Sequence, residues 1–417
     1  MIVKRFIERF IKIRSLLRIT SIGAVVLFAA YTVRWIARPT FGFGMYYTYS
    51  RLLLEGSDFS RVYDFDYFNS RMHEYGIATI DMPNNLPTAA LPMLPIAWLD
   101  PVLAKSIWTL VSIALLAWSL KILFDVFNVP LKDNLALGLI TFAFLFRPVY
   151  EGIALGQMYF LILWLFCLSI AGVSKERTAR TAGPLWLALM VKGYGIVQLI
   201  WFALRRNGRV PLMVLLSSAL SLLLSLPFVG IQSWLAFFHT SSQRGAAANA
   251  HVNYQSVNGF LHHLFTFDKQ WSSSPLIVFP QWTVLILSCV VAFILIYFVV
   301  DTPKRSDPKD SVLSYSASIA VGVLVFPMAS EYHYVLFLPL IIGLAANLYR
   351  QYLATHAVPL LVFVFGASAL IIASPIKYTA LQVVEPPLSL LAYPKLYAGI
   401  ALILCFRVVM REKKAET

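Results

Sequence analysis

Apolar runs about 18 to 20 residues long recur along the whole chain, separated by short polar stretches, and this is the length of helix that crosses the hydrocarbon of a bilayer. Spans are expected near residues 21–37, 102–124, 134–149, 157–174, 210–229, 280–300, 311–328, 334–349, 356–374 and 395–410. The pattern predicts an all-α polytopic membrane protein with about 10–12 transmembrane helices, in one integral-membrane domain over 1–417.

Three stretches depart from simple spans. Residues 39–85 are polar and aromatic, and 86–99 are apolar but short and broken by prolines. The latter suits an interfacial or re-entrant helix, so 39–100 reads as a long first outer loop with short juxtamembrane helices. The third is PLWLALMVKGYGIVQLIWFAL, which lies between two basic flanks, SKERTARTAG and RRNGR. A single span would put one basic flank outside. Two short helices meeting at Lys192–Gly195 keep both inside, with Lys192 at the vertex.

Composition agrees with the pattern. Of 417 residues, 59% are hydrophobic and 13% charged, where soluble proteins have about 25% charged; the mean hydropathy is +0.73. The net charge of +14 does not indicate nucleic acid, because the basic residues gather between apolar runs, as cytoplasmic loops do. Six Lys/Arg and one Glu precede the first span. Residues 1–18 therefore read as a cytoplasmic amphipathic helix without a cleavage signal. The stretch DTPKRSDPKD returns to the cytoplasm, and 230–279 forms a second outer loop. Cys167, Cys289 and Cys405 all fall within apolar runs and read as small buried hydrophobes.

This topology collects the unusual polar residues on one side. Residues 39–85 of the first outer loop hold Glu55, Asp58, Asp64, Asp66, Glu74 and Asp81, six of the chain's 20 acids. RPVYEGIALGQMY supplies Arg147, Glu151 and Gln157, and MVKGYG supplies Lys192 and Tyr194. HVNYQSVNG supplies Asn253, Gln255 and Ser256, SEYHY supplies Glu331 and His333, and Asn84 and Asn85 follow Asp81 directly. Ionisable groups at membrane depth are costly and suggest function. Lys192, Arg147 and His333 suit a phosphate, a nearby carboxylate suits proton abstraction from a hydroxyl, and the amides and aromatics suit a sugar. Together they fit transfer of a sugar from a lipid phosphate to an acceptor at the outer membrane face. The chain contains no Walker loop, GxGxxG, HExxH or CxxC.

The stretches YYTYSRLLLEGSDFSRVYD, NLPTAALPMLPIAWL, GQMYFLILWLF, AGPLWLALMVKGYG, NYQSVNGFLHHLF and SEYHYVLFLPL, in this order, resemble glycosyltransferase family 87. These are membrane transferases of the GT-C class that include mannosyltransferases. The resemblance implies a GT-C-like bundle and an inverting, metal-independent transfer of mannose or another sugar from a polyprenyl-phosphate donor to a lipid or glycan acceptor. It implies a cell-envelope enzyme in the inner (plasma) membrane, its N-terminus cytoplasmic and its site facing outside, with no cofactor and no partner beyond donor, acceptor and membrane lipids. A carboxylate of the first outer loop would act as general base.

Many relatives carry an Asp just after the first span, where this chain reads RPTFGFGMYY, with Gly42 and Gly44. Asp81, directly before the proline-rich stretch, is the leading replacement and Asp64 the second, with Asp66, Glu55 and Asp58 behind them. Asp81 has a bland alternative, capping the helix that follows it. Two other functions fit parts of the pattern: a transporter or flippase of a lipid-linked or anionic solute, and a catalytically inactive relative.

Overall fold

A computed structural model of the chain describes residues 2–246, 250–300, 308–376, 385 and 387–416. Among these residues the protein is 78% helical and has no strand. The helices are α1 (Ile2–Trp35), α2 (Phe41–Leu54), α3 (Phe65–Glu74), α4 (Pro101–Val126), α5 (Asn134–Leu145), α6 (Arg147–Leu155), α7 (Tyr159–Ser174) and α8 (Thr178–Lys192). They continue as α9 (Ile196–Leu204), α10 (Arg209–Ala246), α11 (Val257–Phe265), α12 (Gln281–Val300), α13 (Pro308–Val325), α14 (Leu338–Thr355), α15 (Leu360–Ala373) and α16 (Pro394–Glu416). Shorter 3-10 stretches cover Phe59–Tyr63, Pro87–Ile96 and Glu331–Phe337.

Among the described residues, five helices are long and apolar enough to cross a membrane, six if the bent pair α5–α6 counts as one span, and several shorter apolar helices pack beside them. The protein is an all-α multi-pass membrane protein. Its spans differ in depth. Only 11% of the most apolar window of α10 and 17% of that of α12 are buried within the protein, against 83% for the segment Glu331–Thr355. The last is therefore the centre of the bundle, while α10 and α12 present apolar faces to lipid.

Several expectations change. The amphipathic segment and the first span are one unbroken helix, α1; the side chains of residues 1–13 lie outside the described residues, as does most of DTPKRSDPKD. The span expected at 134–149 breaks at Phe146 and bends by 46°. Pro148 explains the break: it has no N–H to continue the ladder, and its ring would meet the carbonyl four residues back. The second outer loop is partly helical. α10 runs through its expected end at 229 to Ala246, changing course at Gly230 (φ 73°, ψ 155°), and α11 follows. Of the cysteines, Cys167 and Cys405 are buried, but Cys289 is exposed on α12.

The broken pair α8–α9 forms where it is expected. α8 stops at Lys192, and Gly193 (φ 70°) and Gly195 (φ 126°) reverse the chain in backbone regions that side chains disfavour. The ends of the pair remote from the tip lie near one another, around Ser169 of α7 and Tyr315 of α13. Ser169 Oγ donates to the Thr181 carbonyl at the start of α8 and bonds Tyr315 Oη, while Trp201 and Phe202 at the end of α9 pack 5.3 and 5.5 Å from the same tyrosine ring. The pair thus enters and leaves at one end of the bundle, and its tip reaches inward.

Apolar side chains form two clusters. The larger fills the bundle around α7, α13 and α14. The smaller builds the first long loop into a packed unit, with Tyr46, Tyr49, Phe68, Met72 and Met93 at its centre, and it joins the bundle through Met190 and Val191 beside the hairpin tip. A loop of mixed polarity thereby becomes a rigid wall.

Candidate active site

The loop wall delivers Asp81. α3 starts at Asp64, whose carboxylate accepts from the Asp66 and Tyr67 N–H groups at 3.0 and 3.1 Å. Further along α3, Asn69 is hydrogen-bonded to the Asp81 backbone. The Asp81 carboxylate accepts one bond, from the Met82 N–H at 2.8 Å. Its other oxygen is buried with no hydrogen-bond partner among the described residues. Burial pushes this carboxyl up to about 7, against the opposing pull of the Met82 N–H and the Lys192 charge. Asp81 is not a helix cap: the next element, Pro87–Ile96, starts at Leu86 without a side-chain bond.

The hairpin tip delivers Lys192. Its ammonium donates to the Tyr46 hydroxyl from α2 and stands 5.0 Å from the Tyr46 ring centre and 5.1 Å from that of Tyr159. α2 approaches the α6–α7 turn closely at Gly42. A Cβ there would meet the Gln157 carboxamide and come within 2.8 Å of the Leu155 carbonyl. A carboxylate at position 42 therefore has no room in this packing.

The α6–α7 turn is fixed by α4. Lys105, wholly buried, donates to the Ile153 carbonyl at 2.8 Å, and the Trp108 indole donates to the Gly156 carbonyl at 3.0 Å. These donors satisfy the last carbonyls of α6 and complement the negative end of the helix. The anchored helix carries Arg147 and Glu151, which pair at 2.9 Å. Arg147 also reaches Glu331 at 3.8 Å, and Glu331 pairs with Lys395 at the start of α16. The four make a compensated cluster of two acids and two bases. Tyr332 is within electrostatic reach of both Asp81 and Glu151 of this cluster.

Both groups line one open cavity of about 1090 Å³. Most residues singled out from the sequence meet there: Asp81, Asn84 and Asn85 from the loop; Arg147, Glu151 and Gln157 from α6 and its turn; and Lys192, Asn253, Gln255, Glu331 and His333. Their situations differ. Gln157 keeps a buried carbonyl oxygen with no partner among the described residues. The Asn85 carbonyl is taken by Tyr63 and its carboxamide by Met45. The Gln255 carboxamide is used up on the Val252 and Ala392 carbonyls, at 2.8 and 2.7 Å. His333 bonds the Ser330 carbonyl and stacks on Tyr332.

Asp64, Ser256 and Tyr194 are not in the lining. Asp64 is exposed and caps α3. Ser256 caps α11 and donates to the Pro327 carbonyl. Tyr194 is buried behind His333, stacked on Phe326. Of the six acids in residues 39–85, Asp81 alone lines the cavity. Conversely, Tyr46, Asn69 and Lys395 escape a reading by sequence. Lys395, only 1% exposed, is the clearest loss, because the run AYPKLY looks like an interfacial lysine reaching for water.

The family model of glycosyltransferase family 87 matches residues 86–327, more than half of the chain. No curated protein and no solved structure matches it. The matched stretch takes in Arg147, Glu151, Gln157 and Lys192, whereas Asp81, Tyr46, Glu331 and Lys395 lie outside it.

Proposed function

The chain belongs to glycosyltransferase family 87, and from that premise we propose that it transfers a sugar from a polyprenyl-phosphate donor to a hydroxyl of a lipid or glycan acceptor, with Asp81 as general base. The observation that carries the assignment is that Asp81 is the one acid of the first loop in the cavity lining and keeps an unpartnered carboxylate oxygen there. Asp81 takes the acceptor hydroxyl proton, and the acceptor oxygen forms its bond to the anomeric carbon. The bond from that carbon to the phosphate oxygen breaks, and its electron pair leaves with the lipid phosphate. One displacement inverts the centre.

Lys192 and Arg147, with His333 behind them, meet the negative charge that builds on the leaving phosphate. In this reading the transfer proceeds without a metal. The cavity faces the outer side of the plasma membrane, with the N-terminus cytoplasmic, as the basic residues in the first half of α1, ahead of its apolar part, favour.

The test is an assay of the purified protein with labelled polyprenyl-phosphate mannose and lipid and glycan acceptors. Product that forms in the presence of EDTA and is lost in Asp81→Asn supports the proposal. Donor left unconsumed with every acceptor assigns the chain to the inactive relatives, and an unchanged rate in Asp81→Asn removes Asp81 as the base.

A further inference from the structure

We infer that Asn69 is a positioning residue, which sets the Asp81 carboxylate in the cavity by holding its backbone; this rests on Asp81 being the base. Asn69 lies on α3, 6% exposed, between the fully buried Phe68 and Met72. Its carboxamide oxygen accepts from the Asp81 N–H at 2.8 Å, and its carboxamide nitrogen donates to the Asp81 carbonyl at 3.1 Å. The same nitrogen donates to the Phe65 carbonyl at 2.8 Å. One side chain thus clamps both backbone groups of Asp81 and ties them to the first turn of α3.

The segment between α3 and Pro87 has no regular structure of its own apart from turns and bends, so little else there fixes the backbone of residue 81. With donor and acceptor both held, the carboxylate keeps only its own side-chain torsions, and the Met82 N–H restrains those further. Asparagine is the residue this geometry demands. Aspartate cannot donate to the two carbonyls, glutamine is one methylene too long, and alanine leaves a buried N–H and two carbonyls without this partner.

The experiment compares Asn69→Ala, Asp81→Asn and the double variant in the same membrane preparation, following kcat and KM for the donor across pH. Misplacing a catalytic group by about 1 Å costs on the order of 10²-fold, so Asn69→Ala is expected to lower kcat by about that factor with the donor KM within about twofold. Loosening the segment admits water to Asp81, so the acid limb of the rate profile is expected to move to lower pH by about half a unit or more. The double variant is expected to be no slower than Asp81→Asn alone. A fall in kcat with an unmoved acid limb, or a double variant slower than Asp81→Asn, would reduce Asn69 to a loop anchor. If Asp81→Asn is inactive while Asn69→Ala runs at the parent rate, the positioning role is overturned and the base assignment stands; if Asp81→Asn itself runs at the parent rate, the base assignment falls. Asn69→Gln keeps donor and acceptor at the wrong reach, and it carries the same test where the alanine variant does not fold.

Discussion

The two walls of the cavity handle buried charge in opposite ways. On the bundle wall, Arg147, Glu151, Glu331 and Lys395 neutralise one another within hydrogen-bonding or near-bonding distance. On the loop wall, Asp81 has one neighbouring N–H, a bare oxygen and a lysine that already donates to a tyrosine. Each acid of the cluster faces at least one cation, whereas one oxygen of Asp81 has no hydrogen-bond partner among the described residues and is available to a proton. On the proposed mechanism, the contrast separates groups that shape and charge the cavity from the proposed base, and both line the same open space.

The sharpest way to break the comparison is Asp81→Asn. Loss of a general base is expected to cost about 10²–10⁴-fold in kcat. In the parent protein, Asp81 is held near 7, so activity should rise with pH through about 7 and level off above it. The stability effect has the opposite sign. A carboxyl whose pKa is raised by folding binds its proton more tightly in the folded state, so the parent loses stability as pH rises from about 4 through about 7 and stays low beyond. Asn at this position carries no such dependence. Thermal denaturation at pH 8 should therefore show the inactive variant melting above the parent, and a variant that melts below it would mean that the attraction of the Lys192 charge outweighs the burial of Asp81.

On the bundle wall the sign reverses. Lys395→Met leaves Glu331 facing Arg147 at 3.8 Å as its remaining cation. Stripping one partner from a fully buried pair costs about 3–5 kcal/mol, and because Glu331 keeps some solvent the expected loss is about 2 kcal/mol. Pairing the change with Glu331→Gln should return most of it. A Lys395→Met protein as stable as the parent, measured by melting in the same detergent, would show that the cluster is not compensated in the way its geometry indicates.

How much of this was legible from sequence depends on range. The hairpin tip is local: a lysine and two glycines within four residues, between basic flanks, mark it without knowledge of the fold. The cavity residues of RPVYEGIALGQMY were visible as polar groups where apolar ones belong. The break at Phe146 was equally local and marked by Pro148, but the apolar run on either side hid it. Lys395 and Asn69 were not legible, because each acquires its role from a partner far along the chain: Glu331 lies 64 residues before Lys395 and Asp81 lies 12 after Asn69. The different surroundings of Asp81 and Asp64 were not legible for the same reason, since a loop carboxylate becomes a cap or a buried acid only when neighbouring helices settle around it.

That last pair gives the smallest effect and the tightest control. Asp64 and Asp81 belong to the same loop, yet Asp64 is exposed and spends its carboxylate on two N–H groups of α3. Asp64→Ala removes an N-cap, worth about 1 kcal/mol, and should lower the melting temperature slightly. Because Asp64 faces solvent rather than the cavity, the change leaves the reacting groups and their surroundings intact. The expected kcat stays within about twofold of the parent, with the acid limb where it was. A large fall in kcat with a normal melting temperature would move the chemistry from Asp81 to Asp64 and require the acceptor to reach the exposed side of the loop. A shifted acid limb with a modest fall would instead show that the start of α3, acting through Asn69, reaches the carboxylate at Asp81.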